Sequence, residues 1–463
     1  MGGHRNSPRA SPRKKSTTLQ RLFDLDSQNK TGSKLSGNKL SVPSLGRHLP
    51  FESENEVLSI ISCCTITYTF TDHRESPSQQ DLKRLKLAEL LSIIKSSKVP
   101  LHDQILPPLF SMISANLFRP LPPSANTSIM CFLPYDEDLT ATPVAAWPHL
   151  QFVYDILLRL VINIDAKALQ DYINHSFILN LLSLFQSEDP RERESLKNVF
   201  HRIYSKFNFY RCFMRKAMTD VFFHYIFETD KHCGIGELLE IWGSIINGFT
   251  VPLKEEQKLF LMRVLLPLHK PKDMQVYHRQ LTYCVALFAQ KEPVLSGVIV
   301  RGILRYWPVT NCQKEVLLIG ELEELVENID PEQYSKLALP LCTKITKCFN
   351  GWNSQVAERA LYVWNNELFV KTALSAVEEV FPRIVEGLEK NLKWHWSESV
   401  RQLTENTKEM LEEMEPYLYS KCLLQLKLRE SAARQEEIKR KEKWEQIEMA
   451  AAKNRFHQPL HCI

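Results

Sequence analysis

The sequence predicts an all-α fold: a HEAT- or armadillo-like helical-repeat solenoid, with a disordered basic tail before it and a charged helical tail after it. Three observations carry this. Apolar residues recur at helical spacing almost without a break from Val57 onward. Helix-start signals follow one another roughly every 20 residues, so helix pairs recur at about 40, the period of such arrays. Strand signals are scarce: Thr65–Phe70 is the one alternating run, and 14 glycines are few for a chain of tight hairpins.

The elements follow in order. Residues 1–50 hold ten Lys/Arg against two acids and have little apolar periodicity. Such a segment cannot bury enough surface to offset the entropy of ordering, so disorder is expected. Within it, the run from Thr18 to Leu25, TLQRLFDL, is a candidate docking segment or transient helix. Ser7-Pro8 and Ser11-Pro12 fit proline-directed kinases, and Ser16 follows Arg13-Lys14-Lys15. Phosphate there would erode the tail's positive charge. The same basic cluster is a candidate nuclear-import signal.

Residues 51–426 read as the repeat domain. Five prolines and the triplet Asp136, Glu137, Asp138 interrupt it between Asn116 and Trp147, where a long exposed loop is expected. Helix starts are then signalled at Asp189-Pro190, Arg211, Gly234, Pro252, Asp273, Glu292-Pro293, Asn311-Cys312, Asp330-Pro331, Ser354 and Leu374. The clearest unit is Glu237–Lys272. Leu238, Leu239, Ile241, Trp242, Ile245 and Ile246 line one helix, Gly248–Pro252 breaks it, and a second helix is predicted from about Lys254 to Leu268. Such a pair cannot bury its apolar faces alone and needs like neighbours on both sides. Ser354–Leu361 has the small-and-apolar spacing of an inner repeat helix. In residues 427–463, interleaved Glu and Lys favour a solvated helix through i,i+4 pairs, with apolar positions too irregular for a coiled coil.

Composition excludes several functions. The formal charge is +4; the first 50 residues carry +8, so the remainder carries −4. A slightly acidic body does not point to nucleic acid. The eleven cysteines form no CxxC pair, and the 14 histidines form no metal-ligand pattern. Reduced, buried thiols of an intracellular protein fit better. The basic N-terminal segment lacks the apolar core of a secretory signal, and no apolar run approaches the ~20 residues of a membrane span. A soluble protein of the cytoplasm, with access to the nucleus, is expected.

Catalytic and cofactor motifs are missing. Gly234-Ile-Gly236 opens like a dinucleotide fingerprint, but no strand precedes it and no third glycine follows in place. A helix start explains it better. There is no HExxH and no nucleophile elbow. No cofactor and no reaction are therefore expected. Glu321, Glu323, Glu324, Glu327, Asp330 and Glu332 read as an exposed acidic ridge suited to a basic partner.

Four blocks carry a resemblance: PHLQFVYD from Pro148, FHRIYSKF from Phe200, the Glu237–Lys272 stretch, and QVAERALYVWNNE from Gln355. In these the chain resembles the B-prime regulatory subunits of protein phosphatase 2A over roughly residues 55–430. The resemblance implies a non-catalytic subunit that binds the scaffold and catalytic subunits of a trimeric Ser/Thr phosphatase and selects its substrates. It also implies a groove for partner segments of the form Leu-x-x-Ile-x-Glu. The groove residues map to His201, Arg202, Tyr204, Arg211, Glu240, Ile241, Ile245 and Lys254. The local spacing is sensible: His201 and Tyr204 are i,i+3 on one predicted helix, and Ile241 and Ile245 are i,i+4 on another. The isoleucines could hold apolar anchors, and Arg202, Arg211 and Lys254 could pair with carboxylate or phosphate. By residue type alone, the isoleucines are equally core residues and the cations equally surface charges. Gln257 departs from the histidine of many relatives; it can donate a hydrogen bond but cannot become charged. On the repeat pattern alone, a free-standing HEAT-type adaptor is the alternative.

Overall fold

The computed structural model describes residues 51–70, 75–96, 104–121, 144–229, 231–308 and 310–456. The expectations for residues 1–50, and for the acidic triplet within 122–143, lie outside them. The described residues are helical throughout and contain no strand, so Thr65–Phe70 is not one. No helix among them is long and apolar enough to cross a membrane.

The helices are α1 (Phe51–Thr65), α2 (Pro77–Ser96), α3 (Leu106–Leu117), α4 (Trp147–Asn163), α5 (His175–Ser183), α6 (Pro190–Lys206) and α7 (Arg211–His224). They continue with α8 (Ile235–Asn247), α9 (Glu255–Phe260), α10 (His278–Lys291), α11 (Ser296–Arg305) and α12 (Cys312–Val326). The last are α13 (Tyr334–Phe349), α14 (Ser354–Tyr362), α15 (Glu367–Leu374), α16 (Val377–Trp394), α17 (Glu398–Met414) and α18 (Pro416–Phe456).

Many starts are written locally. Asn174, Asp189, Asn311, Asn353, Asn366 and Ser397 each accept a backbone N–H of the first turn they precede. Each satisfies a donor that the helix itself cannot. Leu374 proves to be an end rather than a start, closing α15. The segment predicted as one helix from Lys254 to Leu268 is divided. After α9 the backbone widens into a π turn at Leu261–Leu265 and tightens into a 3₁₀ turn at Pro267–His269. Pro267 has no N–H to continue the α ladder.

The helices form two layers. In one, α4, α6, α8, α10, α12, α14 and α17 pack in succession; in the other, α11, α13, α16 and α18 follow on. Between the layers runs one continuous apolar core that includes Phe185, Phe200, Leu239, Phe288, Phe349 and Trp364.

Polar bridges tie successive helices of the first layer from α4 to α14. Tyr154 donates to Glu192 (3.0 Å), linking α4 to α6. Arg193 reaches Glu237 (2.7 Å) and Lys197 reaches Glu240 (2.5 Å), linking α6 to α8. Gln280 donates to Glu240 (3.2 Å), His278 meets Glu321 (2.9 Å), and Arg359 meets Glu323. Two lysines close helix ends. Lys206 donates to the carbonyls of Val161 (2.7 Å), Ile162 (3.0 Å) and Ile164 at the end of α4. Lys291 does the same for Asn247 (3.0 Å) and Phe249 (2.8 Å) after α8. A cation at a helix C-terminus satisfies orphan carbonyls and complements the dipole.

Gly234, which precedes α8, lies against the chain after α5. A Cβ there would stand 2.5 Å from the Phe185 carbonyl oxygen and 2.7 Å from Phe185 Cβ. Gly234→Ala must push backbone apart and should destabilise the chain by about 1–3 kcal/mol. A urea-unfolding midpoint that does not fall would refute this close packing.

The acidic ridge is not a ridge. Glu321 is fully buried between His269 and His278, Glu323 pairs with Arg359, and Asp330 caps the turn at Pro331. Glu324, Glu327 and Glu332 remain exposed. Helix α18 passes residue 427 without interruption; its last core residue is Leu426, and 432–453 are exposed throughout.

Candidate functional site

The residues expected to form the groove lie on α6, α7 and α8, with Lys254 at the start of α9. Phe207 and Tyr210 are buried in the turn between α6 and α7 and fix how the second helix leaves the first. This places Arg211, the first residue of α7, over the last turn of α6. Its Nε donates to the Tyr204 carbonyl (3.0 Å) and its Nη2 to the Ser205 carbonyl (2.8 Å). The same guanidinium sits 5.5 Å from the centre of the Tyr204 ring. Arg215, one turn further along α7, donates to the Tyr204 hydroxyl (3.1 Å). Tyr204 is thus held between two arginines, by its ring, its carbonyl and its hydroxyl. Two cations anchored in this way need little further ordering to meet an anion.

Sequence reasoning singled out Tyr204 and Arg211, and the structure brings them into direct contact. It missed Arg215. The available signal was the i,i+4 spacing from Arg211, which places both on one helix face.

His201 and Arg202 lie half-buried on α6, within a turn of Tyr204. The Nε of Arg202 is buried without a hydrogen-bond partner. An unmatched buried N–H carries a desolvation cost, and because it is closed to solvent it is not itself a contact point for a ligand. Lys206 adds a further cation at the end of the helix, although its ammonium is engaged with the α4 carbonyls. Burial lowers its pKa, and the Arg202 charge lowers it further.

The other predicted residues fall differently. Ile241 and Ile245 project from α8 but are almost wholly within the core, 1% and 7% exposed. They can supply the floor of an apolar pocket rather than a protruding wall. Glu240 is already engaged by Lys197 on one oxygen and Gln280 on the other. These bonds tie α8 to α6 and α10. Burial works against the Lys197 charge, but Glu194 and Glu240 together raise its pKa. Lys197 therefore keeps its charge at neutral pH.

Lys254 stands apart at the start of α9, exposed. Its backbone N–H donates to Gln257 Oε1 (2.8 Å), so the Gln257 carbonyl oxygen caps the helix. Only the uncharged amide NH2 of Gln257 remains for a ligand. The neighbouring Lys258 is neutralised by Glu255 and Glu292. The cationic weight of the region therefore lies with α6 and α7, not with α9.

This arrangement suits binding rather than bond-making: cations are fixed by helix ends, an aromatic ring is clamped between them, and apolar side chains lie beneath. Comparison with known proteins identifies the family. Residues 42–451 match the family model described as protein phosphatase 2A regulatory B subunit (B56 family). The B' beta isoform of the 57 kDa regulatory subunit of Ser/Thr protein phosphatase 2A from Arabidopsis thaliana is 45% identical over 406 residues, 86% of this chain and 81% of that protein. The B' alpha isoform from the same plant is 42% identical over 413 residues, 88% and 83% of the two chains. The B' kappa isoform from Oryza sativa subsp. japonica is 43% identical over 403 residues, 87% and 79%. These relatives are named as regulatory subunits, not catalytic ones. The chain belongs to the B56 family of protein phosphatase 2A regulatory B subunits.

Proposed function

We propose that this chain joins the scaffold and catalytic subunits of protein phosphatase 2A and brings substrates to them through the α6–α7–α8 groove. The two-layer helix array is read here as HEAT-like, a form that presents long surfaces for partners. The observation that carries the groove assignment is the Arg211–Tyr204–Arg215 clamp. A segment of the form Leu-x-x-Ile-x-Glu would seat its apolar anchors over Ile241 and Ile245. Its carboxylate would meet the guanidinium groups of α6 and α7. The reaction, and any metal it uses, would belong to the catalytic subunit.

Size-exclusion chromatography of the full chain with the scaffold–catalytic pair tests the assembly. Co-elution as one heterotrimer is the expected result. Separate elution at micromolar concentration would reject it and leave a free-standing adaptor. The proposed sites of action are the cytoplasm and the nucleus, with residues 1–50 as the import signal. A reporter fused to those residues should enter the nucleus, and a purely cytoplasmic signal would count against this.

A further inference from the structure

Three tryptophans stand in water at one place on the fold. Trp352 is 79% exposed, Trp394 75% and Trp396 61%, whereas Trp242 and Trp364 are buried. Trp352 lies between α13 and α14, and Trp394 and Trp396 lie where α16 gives way to α17. The two connections are laced together. Trp396 Nε1 donates to the Trp352 carbonyl (2.9 Å). His395, buried and stacked on the Trp396 ring, bonds the Gly351 carbonyl through Nε2 (3.1 Å) and accepts from Ser397 N on Nδ1 (3.1 Å). Arg401 donates to the His395 carbonyl (2.6 Å), and Asn391, buried one turn before Trp394, holds the Phe349 carbonyl (2.7 Å).

These bonds fix the backbone beneath the rings. The indole N–H of Trp396 is already satisfied, so that ring offers mainly an apolar face. Rigid aromatics that leave polar partners inside the subunit are the usual anchors of a protein interface, because little ordering entropy remains to be lost. Lys347, Lys390 and Lys393 stand exposed in the last turns of α13 and α16, the helices that lead into Trp352 and Trp394. Lys393 meets an exposed Glu430 (3.4 Å), and Glu398 is exposed in the first turn of α17. The patch therefore fits a surface that is apolar at its centre and acidic at its edge.

We infer that Trp352, Trp394 and Trp396 form a docking patch for an acidic-rimmed apolar surface of the phosphatase scaffold–catalytic pair. This rests on the reading of the chain as a subunit of that complex. It adds a contact separate from the α6–α7–α8 groove and independent of substrate segments.

The test uses the full chain in two variants, Trp352→Ala/Trp394→Ala and the triple form that adds Trp396→Ala. The double variant leaves the Trp396 hydrogen bond in place. Affinity for the purified scaffold–catalytic pair should fall roughly tenfold or more in both. The thermal melt of the double variant and its binding of a Leu-x-x-Ile-x-Glu peptide should stay unchanged. Undiminished affinity in both variants overturns the proposal. So does a loss confined to self-association of the chain, or to its adsorption on anionic vesicles, with assembly intact. If the unsubstituted chain itself fails to join the pair, it is the proposed function that falls.

Discussion

Replacing Glu321 with alanine should destabilise the protein by about 3–5 kcal/mol, the usual cost of removing one partner from a buried ionic cluster. Glu321 is fully buried and accepts from His269 Nε2 (3.1 Å) and His278 Nε2 (2.9 Å). The other nitrogen of His269, Nδ1, is held by the Leu266 carbonyl (2.9 Å). Without the carboxylate, His269 keeps a buried ring with nothing across from Nε2. Unchanged urea unfolding in Glu321→Ala would contradict the geometry outright.

The same cluster sets a pH dependence. Burial works to raise the Glu321 pKa, but His269 and His278 hold it down to about 2. Burial works to lower the His269 pKa, but the Glu321 carboxylate raises it above the ordinary value. Glu321 therefore contributes fully above about pH 4.5, and its share is lost as pH falls towards 2. His269 contributes fully below about pH 6.5, and its share is lost as pH rises through the raised value. The two overlap between roughly pH 4.5 and 6.5. The difference in urea midpoint between the unsubstituted chain and Glu321→Gln should be largest there and shrink towards alkaline pH. A difference independent of pH would show that no proton is linked to the cluster.

The second large effect concerns binding. Tyr204→Ala/Arg211→Ala should weaken the binding of a Leu-x-x-Ile-x-Glu peptide by roughly two orders of magnitude, the range of paired hot-spot residues. The double change removes the ring, one guanidinium, and the hydroxyl that orients Arg215. It removes a ring packed at the margin of the core but keeps the buried Ile203 and Phe207. Assembly with the scaffold–catalytic pair should persist. Isothermal titration with a synthetic peptide reads the first outcome and chromatography the second. Full peptide affinity in the double variant would move the site elsewhere.

Legibility of the site follows the range of the interactions involved. His201–Tyr204 and Ile241–Ile245 could be placed on shared faces because helical spacing is a local property. Whether a face meets water is not. Glu240 looked like a ligand-facing acid, yet it is occupied by Lys197 and Gln280, 43 and 40 residues away in sequence. Arg211 is expected from the sequence to pair with a ligand anion, and what sequence does not show is that its guanidinium is also bonded to the end of the preceding helix.

The sequence alone determined the helical class, many of the helix starts and the family. Asp189, Asn311 and Asn353 cap helices within three residues of themselves, so no distant partner is needed to read them. Tertiary structure decided what each face does. Glu321 belongs to an acidic run by its neighbours in sequence, but it is buried because residues 43 and 52 positions away fold over it. The aromatic patch at Trp352 and Trp396 likewise joins residues 44 apart. Caps and periodicity act over one helical turn, whereas burial and pairing depend on which helix packs next, and that is fixed only when the layers assemble.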